Sequence, residues 1–207
     1  MKKITFLFLI AFVFIISCSD NKKPANANTA SNKPDVKTGV APVADSEIAV
    51  IEMENSAYGT MKLELYSNIA PKAVERFKEL AKEGFYNGTT FHRVSNIVIQ
   101  GGDPNSKDAD PNNDGAGKSS KPNVPAEFSD VPFEKYVVGA ARSTDVNSAN
   151  CQFYITMQRY AAWDKNYTVF GKVIEGMNNA DTISGVPKNG EKPMDPVKIK
   201  SITIQSK

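Results

Sequence analysis

The 207 residues contain 25 Lys and Arg against 23 Asp and Glu, with 41% hydrophobic and 23% charged residues. That balance describes a globular chain with material for one ordinary core. Two cysteines exclude a disulfide scaffold, and the charge balance gives no reason to expect nucleic-acid binding. In chain order, Lys2 and Lys3 precede an apolar run over 4–16, followed by Ser17 and Cys18. This is the layout of an export signal, and the run is short for a membrane-spanning helix. Residues 1–17 are therefore expected to be a signal peptide; removing Lys2 and Lys3 with it leaves 23 side chains of each sign.

The junction Ile15-Ile16-Ser17-Cys18 resembles a bacterial lipobox. That resemblance implies lipidation of Cys18 and a place in the bacterial cell envelope, anchored by lipid on the exported side of a membrane. An ordinary signal peptide or an uncleaved anchor is the alternative. From Asp20 to Asp45 the chain is rich in Asn, Lys, Ala, Pro, Thr and Ser with almost no large apolar residue. Such a segment cannot bury enough surface to offset its ordering entropy, so residues 18–45 are expected to form a disordered tether to a domain spanning 46–207.

The domain opens with two apolar-alternating runs, 48–51 and 61–65, around a short turn that reads as a hairpin. Pro71 suits a first helical turn, Gly84 suits a helix stop, and Ala73, Val74, Phe77, Leu80 and Ala81 recur at helical spacing between them. Two strands, 90–94 and 97–100, follow. Alternation puts Phe91 and Arg93 on one face and His92 on the other. Arg93 is then either at the rim of a sheet or a donor in a pocket.

A long polar loop runs over 103–125. Its Asp110-Pro111-Asn112-Asn113-Asp114-Gly115 matches the first half of a calcium loop, but Lys121 stands where the bidentate glutamate belongs. Asp, Asn and Gly are also what any turn-rich loop uses, and loops this long in compact domains are usually functional. Strands at 136–140, 151–156, 167–174 and 197–205 and a helix at 177–183 complete the chain. In the run 151–156, Gln152, Tyr154 and Thr156 share one face. About eight strands and two helices, not alternating, point to an antiparallel barrel or sandwich with helices at its ends.

The chemistry open to this chain is narrow. His92 is the only histidine, no serine stands in a Gly-x-Ser-x-Gly elbow, and no His or Cys cluster has metal spacing. No phosphate loop or dinucleotide fingerprint is present. An enzyme built from these residues works without a metal, a cofactor or a covalent intermediate. His92 is expected to be a structural donor on a buried face, and Cys151 a small buried hydrophobe.

Phe91-His92-Arg93-Val94, Gln100-Gly101-Gly102-Asp103, Pro125-Ala126-Glu127-Phe128, Gln152-Phe153-Tyr154-Ile155 and Thr168-Val169-Phe170-Gly171 resemble the successive motifs of the cyclophilin-type peptidyl-prolyl isomerases, in order and spacing. The resemblance covers essentially everything after the tether. It implies a mainly β fold, a closed eight-stranded antiparallel barrel capped by two helices. It also implies a monomer acting on proline-containing polypeptides, with Arg93 as the catalytic residue. Carried over by position, the substrate pocket comprises Ile97, Val98, Gln100, Ala141, Arg142, Gln152, Tyr154, Trp163 and Tyr167. Ile97 and Tyr154 replace pocket phenylalanines usual in the family, and Trp163 falls where leucine is normal. A proline-peptide binding module with little turnover is the alternative reading.

Overall fold

The computed structural model describes residues 34–207. In chain order they form β1 (Val36–Lys37), β2 (Glu47–Met53), β3 (Thr60–Leu65), α1 (Pro71–Lys82), β4 (Arg93–Val94) and β5 (Val98–Gly101). Then come β6 (Phe128–Ser129), β7 (Val137–Ala140), β8 (Phe153–Thr156), β9 (Val169–Glu175), α2 (Met177–Ser184), β10 (Lys188–Asn189), β11 (Lys192–Pro193) and β12 (Ile199–Ser206). Eight of the strands make one antiparallel sheet in the order β12-β2-β3-β9-β7-β8-β5-β4. The hairpin expected at the start is β2 and β3. Its buried Ala49, Ile51, Met53, Met61, Leu63 and Leu65 alternate with more exposed neighbours, as a sheet with one face on the core requires.

Helix α1 lies where its period places it, with Ala73, Val74, Phe77, Leu80 and Ala81 buried. Burying Phe77 and Leu80 contributes roughly 1.5–3 kcal/mol each. Its N-terminus has Pro71 in the first turn and no side-chain cap from its own flank. The carboxylate of Glu127 does that work from a distant loop, accepting from the backbone N–H of Lys72 at 3.1 Å and of Ala73 at 2.9 Å. A negative charge on orphan N–H groups at a helix start is favourable both as hydrogen bonding and against the helix dipole. Gly84, at φ +67°, ends the helix in the left-handed region.

Two expectations require correction. The sheet is strongly curled but does not close into a barrel: no ladder joins β12 to β4. The gap is crossed by Phe91 N donating to the Val197 carbonyl (2.9 Å), Ile199 N to the Thr89 carbonyl (2.8 Å) and an isolated Thr90–Lys198 bridge. β4 is only two residues long, and Val94 N donates to the Glu191 carbonyl (2.6 Å) of the β10–β11 hairpin instead. Pro193 and Pro196, which lack an N–H, stand in the segment leading into β12, where closure would need donors.

The second correction concerns the tether. Residues 34–45 are folded onto the domain. β1 pairs in parallel with β6, Val36 against Phe128, and Lys37 Nζ donates to the carbonyls of Asn68 (2.7 Å) and Ile69 (2.9 Å). Asp45 accepts from Ser67 N (3.1 Å), Ser67 Oγ (2.7 Å) and Lys78 Nζ (2.6 Å). The segment is held by backbone pairing and charge-assisted bonds rather than by apolar burial, which is why hydropathy gave no sign of it. The signal peptide 1–17, Cys18 and the start of the tether lie outside the described residues.

Burial works against ionisation of Asp45, but the bonds from Lys78 and Ser67 outweigh it and hold its carboxyl below the usual carboxylate range. A depressed carboxylate contributes stability above the unfolded-state value of about 3.9, lost as pH falls through the lower folded value. Asp45→Asn is therefore expected to cost about 1–2 kcal/mol at neutral pH. The cost is read as a lower urea midpoint with unchanged slope, and the difference from the native chain should shrink as pH falls through the lowered folded value of Asp45.

Candidate active site

The register of four neighbouring strands builds the site. Arg93 of β4 pairs with Gln100 of β5, Gln100 with Tyr154 of β8, and Tyr154 with Gly139 of β7. Partners directly opposite in a sheet project to the same face, so these side chains form one transverse row. Phe91 does not share it. Residues 91 and 92 leave the ladder, and Phe91 packs edge-on to Phe153 in the core, at 6.0 Å between ring centroids. The strict alternation expected through 90–94 fails there.

Arg93 is half-exposed at the edge of the row. Its Nη1 donates to Gln100 Oε1 at 3.3 Å, its Nε to Glu191 Oε2 at 2.7 Å and its Nη2 to Glu191 Oε1 at 3.2 Å. Gln100 Nε2 donates to Gln152 Oε1 (2.9 Å), and Gln152 Nε2 donates to the carbonyls of Gly115 and Gly117, both at 3.0 Å. The relay begins at an obligate donor and ends at obligate acceptors, so both glutamine amides have a defined orientation. The long loop reaches this relay because the buried carboxylate of Asp103 gathers its backbone. Asp103 accepts from the N–H groups of Asn105 (2.9 Å), Gly115 and Gly117 (3.3 Å). A Cβ at position 117 would sit 2.0 Å from Asp103 Oδ1, so only glycine fits there.

Beside the relay is an aromatic cluster. Trp163 lies 5.1 Å from Tyr154 and 5.2 Å from Tyr167, and Tyr154 lies 6.4 Å from Tyr167. Phe133 and Tyr160 buttress Trp163 at 6.0 and 4.8 Å. Ile97 is partly buried against the core. The Arg142 guanidinium stacks 4.2 Å over the Tyr167 ring and donates to the carbonyls of Ser143 and Asn166.

Most of the residues singled out from sequence thus meet in one place. Arg93, Gln100 and Gln152 share the relay, while Tyr154, Trp163, Tyr167 and Arg142 share the aromatic wall. Val98 does not join them; it is fully buried in the core. The N–H of Ala141 is taken by the Gln152 carbonyl at 3.0 Å, so this residue has no free backbone donor to offer. Phe133, Tyr160 and Glu191 were not foreseen. Phe133 and Tyr160 carry no local motif, and the only local signal near Glu191 is the Asn189-Gly190 pair before it, which marks a turn and no chemistry.

A recess of about 230 Å³ adjoins the relay, lined by Gln100, Gly115, Gly117, Arg142, Ser148 and Gln152. A larger groove, about 680 Å³, lies between the long loop and the β10–β11 hairpin and does not reach Arg93. His92 borders that groove. Burial holds its imidazole below the usual histidine value, against the opposing pull of Asp103 and of the Thr90 backbone. Burial also pushes the Cys151 thiol up to about 11, which leaves it protonated and inert at neutral pH. In the long loop, Lys121 is committed to Glu79 and Glu83, each at 2.8 Å.

A sequence model of the family described as cyclophilin type peptidyl-prolyl cis-trans isomerase/CLD matches residues 50–204. The chain belongs to the cyclophilin-type peptidyl-prolyl cis-trans isomerases. A probable peptidyl-prolyl cis-trans isomerase of Brucella suis is 40% identical over 172 residues, covering 80% of this chain and 87% of the relative. A peptidyl-prolyl cis-trans isomerase of Acinetobacter baylyi is 34% identical over 171 residues, covering 76% and 86%. Among solved structures, a Cryptosporidium parvum cyclophilin crystallised in the presence of the dipeptide Ala-Pro aligns with TM-score 0.69 and 28% identity. That alignment covers 77% of this chain and 99% of the other. A cyclophilin of Hirschia baltica, at TM-score 0.64 and 21% identity, covers 79% of this chain and 75% of its own and shares the fold.

In this cyclophilin the Tyr154 hydroxyl is buried with no hydrogen-bond partner among the described residues, directly over the position where a Gly139 Cβ would be 2.5 Å away. An unsatisfied buried hydroxyl costs about 1–3 kcal/mol. Tyr154→Phe is therefore expected to keep the fold and leave the chain as stable or up to about 1 kcal/mol more stable by urea unfolding. Gly139→Ala should destabilise it by about 1–3 kcal/mol through overpacking against that ring.

Proposed function

We propose that this isomerase accelerates rotation about X-Pro bonds of exported or membrane-associated proteins, with Arg93 acting on the prolyl nitrogen. Peptide-bond rotation faces a barrier of about 18–20 kcal/mol because resonance makes the C–N bond partly double. In the twisted transition state the prolyl nitrogen loses that resonance and regains a lone pair. A guanidinium N–H aimed at it then forms a hydrogen bond that the planar ground state cannot accept, and binding is strongest at the transition state. The observation that carries this reading is the Arg93 guanidinium, bonded to Gln100 and still holding uncommitted N–H groups, in the same row of strands as the wall of Tyr154, Trp163 and Tyr167.

The aromatic wall receives the proline ring and excludes water, which would otherwise stabilise the polar planar amide. Gln152 and Gln100 keep the polar side of the cleft ordered, while the adjoining recess takes residues before the proline. The export signal and Cys18 support work on exported clients, where slow X-Pro exchange limits folding. Lipid on Cys18 would hold the enzyme at the envelope membrane.

The test is cis/trans exchange of X-Pro peptides by NMR, with the full chain in detergent micelles and its Arg93→Ala variant. Arg93→Ala is expected to lower kcat/KM about 10²- to 10³-fold while the far-UV spectrum stays unchanged. If the native chain binds the peptide without speeding exchange, the pocket is instead a recognition site for proline-containing segments.

A further inference from the structure

Arg93 sits on a two-residue strand at the open edge of the sheet, where the backbone scaffold is weakest. Its bond to Gln100 is neutral at the acceptor and long, 3.3 Å. One such contact leaves a long, freely rotating side chain poorly aimed. The second contact is of another kind. Glu191 takes Nε and Nη2 together, at 2.7 and 3.2 Å, the side-on bidentate arrangement that is both stronger and more directional than a single bond. This leaves the remaining Nη1 and Nη2 protons along the outer edge of the guanidinium for substrate.

Glu191 is itself fixed. It occupies the turn between β10 and β11, after Gly190 at φ +62°, and its carbonyl accepts from Val94 N beside Arg93. Lys192 donates to the Pro111 carbonyl of the long loop, and Lys188 donates to the Ser184 carbonyl at the end of α2. The hairpin is thus pinned to three elements. The ion pair is 42% and 48% exposed on its two sides, so it adds little to stability. Its effect falls on orientation.

The geometry points to Glu191 as a positioning residue for the isomerase reaction, delivered by the β10–β11 hairpin to lock Arg93 with its outer N–H groups facing the prolyl nitrogen. This rests on the assignment of Arg93 made above. The Arg93 bond also holds the Glu191 carboxyl below the usual carboxylate range, so the pair stays charged at neutral pH.

Glu191→Ala and Glu191→Gln are compared with the native chain, with Arg93→Ala and with the Arg93→Ala/Glu191→Ala double variant, all as full chains in micelles. Glu191→Ala is expected to lower kcat about tenfold with KM little changed, with Glu191→Gln between the two. In the Arg93→Ala background the Glu191 change should add no further loss, because it acts through the arginine. The Arg93 Nε–H resonance, slowly exchanging in the native chain, should become fast-exchanging in Glu191→Ala. An unchanged or raised kcat in Glu191→Ala, or an additive loss in the double variant, overturns the inference while Arg93→Ala still cripples the enzyme. A fully active Arg93→Ala variant is a different failure: it overturns the assignment of the arginine, and the inference with it.

Discussion

The site depends on the cross-strand register of β4, β5, β8 and β7, which sets Arg93, Gln100, Tyr154 and Gly139 in one transverse row. Side chains alternate with period two, so a slip of one residue in any of these pairings would move that strand's contribution to the opposite face. The register is protected because the other face is the core. Ile99, Phe153 and Ile155 are essentially fully buried, and exchanging them with their polar neighbours would expose them. Core packing therefore fixes the geometry of this row.

Around this row the polar groups form a chain of fixed sense. It runs from Glu191 through Arg93, Gln100 and Gln152 to the carbonyls of Gly115 and Gly117. A chain with charge at one end and backbone carbonyls at the other allows each amide a single orientation. It also joins three parts far apart in sequence: the edge strands, the long loop and the late hairpin. The buried Asp103 carboxylate stabilises the far end by drawing in loop N–H groups. The Gly-Gly-Asp motif thus serves the site without entering it.

The failure of the barrel to close belongs to the same arrangement. Where a continuous barrel would pair β12 with β4, the β10–β11 hairpin takes the Val94 N–H and presents Glu191 to the arginine. The gap in the ladder is thus the place at which a side chain from another part of the chain can reach Arg93. Similarly, Glu127 of the Pro-Ala-Glu-Phe motif caps α1 from a distance, so a conspicuous acidic residue serves helix stability.

The sequence by itself determined the family, the two helices, most strands and the face shared by Gln152 and Tyr154, because these rest on local periodicity, turn residues and motifs in fixed order. It also identified Arg93 as the residue out of keeping with its strand. Only the tertiary structure decided the open seam, the folding of residues 34–45, the burial of Val98 and the placement of Glu191, Phe133 and Tyr160 beside the site. Each of these depends on contacts between residues tens of positions apart: Arg93 with Glu191, Asp45 with Lys78, Phe133 with Trp163. Local composition sets what a segment can become. Which distant donor meets which acceptor is set by the packing of the whole sheet.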